Sequence, residues 1–188
     1  LRELAEGDTQ NIPQTRATFS AQQTESAEEI IKEAMEAVHS FDREGLEIAL
    51  HRASASFSQP YLIEQVLAPF LRMLGELWSE GKVRAAQEHF ASSVIRGFLA
   101  NLGRQTSLSQ NDPILLVATP AGQRHEFGAL FVAIAASSYG WGTLYIGANL
   151  PAEEIAGAAS ANRTRAVALS IIYPSDDPRV AEELSLLR

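Results

Sequence analysis

The sequence predicts an α plus α/β fold, a four-helix bundle followed by a parallel sheet with right-handed crossovers. Three observations predict it. From Ser26 to Leu102 apolar residues recur at helical spacing, whereas after a polar stretch at Gly103–Asp112 they gather into short continuous runs. Those runs then alternate with further helical patterns, the signature of successive βα units. With 188 residues, 46% of them hydrophobic, the chain has room for two small domains.

Residues 1–23 are polar and broken by Gly7, Asn11 and Pro13, and read as a linker that follows an upstream domain. A bundle is expected over 24–104. Ser26 and Glu29 have capping-box spacing, and Ala27, Ile30, Ile31, Ala34, Val38 and Phe41 mark one face of a first helix. Leu46, Ala49, Leu50 and Ala53 mark a second, over about Arg43–Ser54. A third starts at Pro60, a favoured first helical position, and carries apolar residues from Leu62 to Trp78. Pro69 in its interior lacks an N–H and should kink it, and Gly81 suits its end. The fourth runs from about Ala85 to Leu102, stopped by Gly103. Short turns between such helices imply an antiparallel bundle.

The α/β part is expected over 112–188. Ile114–Ala118 is continuously apolar, as a strand buried on both faces must be, and similar runs return at Thr143–Ile146 and Ala166–Ile172. Helical patterns lie at about Glu126–Ser138, Ala152–Ala161 and Pro178–Leu187. The chain stops after this third βα unit, so the domain reads as cut short.

A net charge of −8, from 23 acidic and 15 basic residues, provides no electrostatic footprint for a phosphate backbone, so DNA contacts are expected outside this chain. Without cysteine there is no disulfide, thiolate-bound zinc or cysteine nucleophile. No nucleophile–base pair, acid–base carboxylate pair or phosphate-binding glycine loop is legible, so the chain is not expected to be an enzyme. Neither a signal peptide nor a membrane-length apolar run is present, which predicts a cytoplasmic protein with no membrane contact. His39 and His51 lie in helices without metal-ligand partners nearby, leaving His89 and His125 as candidates.

In an open parallel sheet ligands enter the crevice beyond the carboxyl ends of the strands, so the loop after the first strand is the place to search. It reads Thr119-Pro120-Ala121-Gly122-Gln123-Arg124-His125-Glu126-Phe127-Gly128. By itself a loop histidine is an ordinary surface residue capping the next helix. Here His125 and Gly128 form the His-x-x-Gly core of the Asp-x-His-x-x-Gly motif, and the loop resembles the cobalamin-binding domain of methionine synthase and its relatives. That resemblance implies that His125 ligates cobalt from below. Gln123 stands where the motif has its carboxylate; its amide oxygen still accepts an imidazole N–H but carries no charge, leaving His125 a less basic donor. Ser170-Ile171-Ile172 takes the place of the family's Ser-x-Leu at the end of the third strand, which implies that Ser170 contacts the displaced nucleotide tail.

The bundle adds Trp78-x9-Glu88-His89, which a helical hairpin brings to one end. Singly, Trp78 reads as core and Glu88 as a solvated first-turn acid. Together they suit a cap over a flat ligand, an indole face beside two hydrogen-bonding groups. Followed by His-x-x-Gly, the arrangement closely resembles the sensing region of MerR-type, cobalamin-dependent, light-responsive transcriptional regulators, the CarH and LitR family. The resemblance implies a Rossmann-like (flavodoxin-like) cobalamin-binding domain and a bound 5′-deoxyadenosylcobalamin, with the adenosyl group under Trp78, Glu88 at its sugar and His89 close by. It also implies a light-cleaved cobalt–carbon bond whose loss lets the bundle move and a dimer or tetramer fall apart. DNA would be gripped through an upstream winged-helix domain, of which Leu1–Gly7 resembles the last helix. Ser79 stands where several of these photoreceptors have a second histidine, so a bis-histidine light product cannot form in the same way. Two alternatives stay open: the corrinoid carrier of a methyltransferase, which also joins a bundle to a His-x-x-Gly domain, and a regulator that has lost cobalamin.

Overall fold

The computed structural model describes residues 26–103, 112–172 and 178–187. The linker read at 1–23, and with it the winged-helix resemblance of Leu1–Gly7, lies outside the described residues. The chain begins with α1 (Ala27–Ser40), α2 (Arg43–Ser56), α3 (Gln59–Tyr61), a π-helical segment (Leu62–Leu67), α4 (Ala68–Ser79) and α5 (Ala85–Gly103). It continues as β1 (Ile114–Pro120), α6 (Phe127–Ser137), β2 (Gly142–Leu150), α7 (Ala152–Ala161), β3 (Ala166–Leu169) and α8 (Pro178–Leu186).

Local chemistry accounts for the helix starts. The Ser26 hydroxyl accepts from the Glu29 N–H at 3.1 Å while the Glu29 carboxylate accepts from the Ser26 N–H at 3.0 Å, a complete capping box. That backbone bond holds the Glu29 carboxyl below its ordinary pKa. Asp42 caps α2 through the Gly45 N–H at 3.0 Å, and a Cβ on Gly45 would stand 2.4 Å from the same carboxylate, so the glycine makes room for the cap.

At Pro69, where a kink is expected, the helix changes its hydrogen-bond register. Pro69 has no N–H to offer the Gln65 carbonyl, and the preceding turns, Leu62–Leu67, widen to π geometry, with the Ala68 N–H bonded to the Ile63 carbonyl five residues back. The register change is absorbed inside one continuous helical run from Gln59 to Ser79.

The sheet is parallel, in the order β2-β1-β3. β1 is central, which explains why Val117, Ala118 and Thr119 are fully buried. β3 is shorter than its apolar run. The ladder ends at Leu169, although the Ser170 N–H still reaches the Ala118 carbonyl at 3.1 Å, because the Ile172 N–H turns instead to the Gln123 side chain. Ser170 therefore follows the third strand rather than lying within it.

Four layers result. Ile30, Leu46, Leu50, Leu67, Phe70, Ile95 and Leu99 centre the core of the helical part, and Ile134 of α6 belongs to that same core, with Phe127, Leu130 and Phe131 packed against it. The opposite side of α6 presents Ala129 and Ala133 to Val117 of the sheet. On the far face of the sheet, Leu116 and Ala118 meet Ile155 of α7. Helix α6 is thus shared between the helical part and the sheet.

Candidate functional site

The loop that carries His125 is held by the strand ends. Buried Thr119 donates its hydroxyl to the Gln123 carbonyl and accepts the Asn149 N–H at 2.8 Å. The Asn149 side-chain oxygen in turn accepts the Gly122 N–H, also at 2.8 Å. Asn149 has left-handed backbone, φ 60°, and Gly147 beside it φ 112°, opposite the register shift at Ala118, so the end of β2 bends over the loop. Gln123 is 1% exposed, and its side-chain oxygen accepts the Ile172 N–H at 2.9 Å, tying the loop to the end of β3.

Gly128 lies in the first turn of α6, where an added Cβ would stand 2.5 Å from the Ser170 hydroxyl and 3.1 Å from Ile172. The glycine of the His-x-x-Gly motif is what lets α6 close on the end of β3.

Between the helical part and this loop lies a cavity of about 470 Å³. One wall is Ala68, Leu71, Arg72, Leu74 and Gly75 of α4 with Glu88 and Ser92 of α5; the other is His125, Phe127, Gly128, Phe131 and Ile172. The lining is mainly apolar, with one imidazole from the loop facing side and one carboxylate from the helical side. The Ser92 hydroxyl donates to Glu88 at 2.5 Å, which orients that carboxylate.

The structure therefore brings Glu88, His125 and Gly128, read from two separate motifs, to one cavity. Trp78 is on the same side of α4 as Leu71, Leu74 and Gly75 by helical spacing, beyond the lining, and is 52% exposed, so it is not core. His89 lies outside the lining with its side chain 82% exposed, and its Nδ1 stands 3.6 Å from the Glu88 carboxylate. Consecutive residues of a helix point about 100° apart, and of this pair it is Glu88 that lines the cavity. Gln123 and Ser170 buttress the loop and α6 and are not among the lining residues.

Several residues escaped the sequence reading. Ser92 and Gly75 left faint signals, a hydroxyl one turn after Glu88 and a glycine inside a helix. Arg72 left none, since an arginine in an amphipathic helix is ordinarily solvated. Glu126, in the same loop, bridges the layers: its carboxylate accepts from Arg96 of α5 at 2.6 Å and from the Tyr145 hydroxyl of β2 at 2.6 Å. Burial first, and then the hydrogen bond and charge of Glu126, push the Tyr145 phenol well above its ordinary pKa, against the opposing charge of Arg96.

Known proteins resemble both the helical part and the fold as a whole. Residues 21–102 match the family described as B12 binding domain. The chain is 28% identical to the HTH-type transcriptional repressor CarH of Myxococcus xanthus over 152 residues, covering 81% of this chain and 50% of that protein. It is 35% identical to the HTH-type transcriptional repressor CarA of the same organism over 106 residues, covering 56% of this chain and 35% of that protein. The chain thus spans half or less of the length of these curated relatives. Among solved structures it is similar to the Methanosarcina barkeri monomethylamine corrinoid protein, with a TM-score of 0.61 over 86% of this chain and 76% of that one. At 15% identity that likeness is one of fold.

Proposed function

We propose that this chain, a CarH-like sensing region whose helical half carries the B12 binding domain, holds a cobalamin between α4–α5 and the loop before α6. In this reading the helical part, 24–104, caps the cofactor and residues 112–188 form the floor. The observation that carries it is the convergence of His125 and Glu88 on opposite walls of one mainly apolar cavity. These residues fit a corrinoid. A flat apolar ring system suits Leu71, Leu74, Phe127 and Phe131, and a single loop imidazole suits a metal whose other ligands come with the cofactor.

His125 would hold cobalt from below, Gly128 and Gln123 would keep its loop in place, and Ser170 would line the way to the nucleotide tail. Glu88, oriented by Ser92, would accept hydrogen bonds from a sugar hydroxyl on the upper side, with Trp78 roofing the mouth and His89 at its rim. A bound 5′-deoxyadenosylcobalamin would supply a light-sensitive cobalt–carbon bond. The chain's own part is to bind that group and to pack differently with and without it, since a ligand shifts only an equilibrium between states that it distinguishes.

The reading extends to a MerR-type regulator in which this region governs a dimer or tetramer, and through it an upstream DNA-binding domain. The sequence relatives, both HTH-type repressors, support a regulatory rather than enzymatic role. A cytoplasmic location goes with that role; among the described residues no helix is long and apolar enough to cross a membrane.

The fold shared with a corrinoid protein favours one second reading, a corrinoid carrier. Reconstitution with adenosyl-, methyl- and hydroxocobalamin, followed by absorption spectra before and after illumination, separates the readings. A sensor takes up the adenosyl form and changes its spectrum and oligomeric state in light, whereas a carrier donates the methyl group of methylcobalamin to an acceptor. His125→Ala should weaken corrinoid binding at least about tenfold, because loss even of an outer-shell partner costs roughly 10–100-fold at metal sites. Undiminished affinity and colour in that variant refute the proposal, as does an unchanged Tm in excess of every cobalamin.

A further inference from the structure

Helix α6 is pinned to the helical part at both ends. At its start, Glu126 meets Arg96 of α5 at 2.6 Å; at its finish, Ser138 donates to the side chain of Gln59. The first of these ties differs from an ordinary surface pair. Glu126 is only 19% exposed, and its second carboxylate oxygen is occupied by the Tyr145 hydroxyl at 2.6 Å. One carboxylate thereby joins three elements, α5, the loop and β2, and it belongs to the residue that follows His125. Arg96 in turn continues a stripe on α5: Glu88, Ser92 and Arg96 follow at four-residue steps, so the two cavity-lining residues and the clamp share one helical face.

We propose that Glu126 is a positioning residue that, through Arg96 and Tyr145, sets the separation of α5 from the His125 loop and thus the width of the cavity. A partly buried carboxylate held by a guanidinium and a phenol cannot move without leaving a charge unpaired, so it fixes the loop more firmly than exposed pairs do. The inference deepens the cobalamin reading and rests on it for the identity of the ligand, but the mechanical claim is separable from it.

The test uses the absence of native cysteine. Spin labels at Glu76→Cys on α4 and Ser160→Cys on α7, both exposed and on opposite sides of the sheet, report the distance between the layers. In the otherwise unchanged chain a single narrow distance distribution is expected. Arg96→Ala and Glu126→Gln should each broaden it and weaken hydroxocobalamin binding about tenfold, and the double variant should be no worse than the stronger single one, the mark of a shared interaction. Tyr145→Phe should do the same to a smaller degree. Unaltered distances and unaltered affinity in an Arg96→Ala variant whose circular dichroism matches the parent's overturn the proposal; so do additive losses in the double variant. If the unaltered chain takes up no cobalamin at all, the cofactor reading fails, and the distance distributions alone decide the clamp.

Discussion

At the scale of single residues, identity and placement carry different information. His125 and Gly128 are legible from their spacing, and the structure supplies a steric reason for the glycine: the Ser170 hydroxyl lies 2.5 Å from where a Cβ would be. Gly128→Ala should therefore cost about 1–3 kcal/mol of stability in denaturant unfolding, as overpacking does, with part recovered by adding Ser170→Gly. Trp78 makes the opposite case. Its place in an apolar stripe reads as core when taken singly, yet it is half exposed, which leaves the indole free for the roofing role proposed above. Trp78→Ala should leave Tm nearly unchanged and weaken adenosylcobalamin about tenfold more than hydroxocobalamin in parallel titrations. Equal losses for both forms would remove the indole from the upper-ligand side.

At the scale of elements, the helices follow from patterns that the sequence displays openly, while their irregularities do not. The capping box at Ser26 and the apolar faces of α1, α2, α4 and α5 emerge where periodicity places them, except at Phe41, which follows the end of α1 with left-handed backbone (φ 56°) and lies half exposed instead of on the helix's apolar face. The π-helical turn before Pro69 does not, because the missing N–H announces an irregularity without saying how the neighbouring turns will adjust their hydrogen bonds. Gly75 belongs at this scale too. It lies inside α4, lines the cavity, and an added Cβ would meet nothing within 4 Å. Since glycine weakens a helix by about 0.5–1 kcal/mol relative to alanine, Gly75→Ala should raise the stability of the cofactor-free chain by that amount. Gly75→Leu should fill the cavity and lower cobalamin affinity, a pair of outcomes readable by calorimetry and spectral titration. A Gly75→Leu variant that binds normally would show that α4 does not bound the ligand.

At the scale of the molecule, the helical part and the sheet are joined through α6 and through the Arg96–Glu126–Tyr145 chain. This junction has a pH signature. The Tyr145 phenol titrates above its ordinary value of 10.0 in the folded state, so on raising the pH the unfolded chain loses its proton first. The stabilisation is full below about pH 10 and declines as the pH rises past it toward the folded value. Chemical denaturation between pH 9 and 11.5 should show that decline in the parent chain and a shallower one in Tyr145→Phe; parallel slopes would place the phenol outside the junction.

The sequence by itself determined the kind of architecture, the presentation of His125 on the loop after β1, and the small residue that must follow three positions later, because these depend on local periodicity and on steric rules within one segment. Only the tertiary structure decided that Glu88 rather than His89 lines the cavity, that Gln123 and Ser170 brace the loop, and that α6 serves two cores at once. Helix α6 shows why: Phe-Gly-Ala-Leu-Phe-Val-Ala-Ile is apolar nearly all round, which announces burial on several sides but cannot say against what. Contacts between residues far apart in the chain arise from packing, and packing leaves no period in the sequence to read.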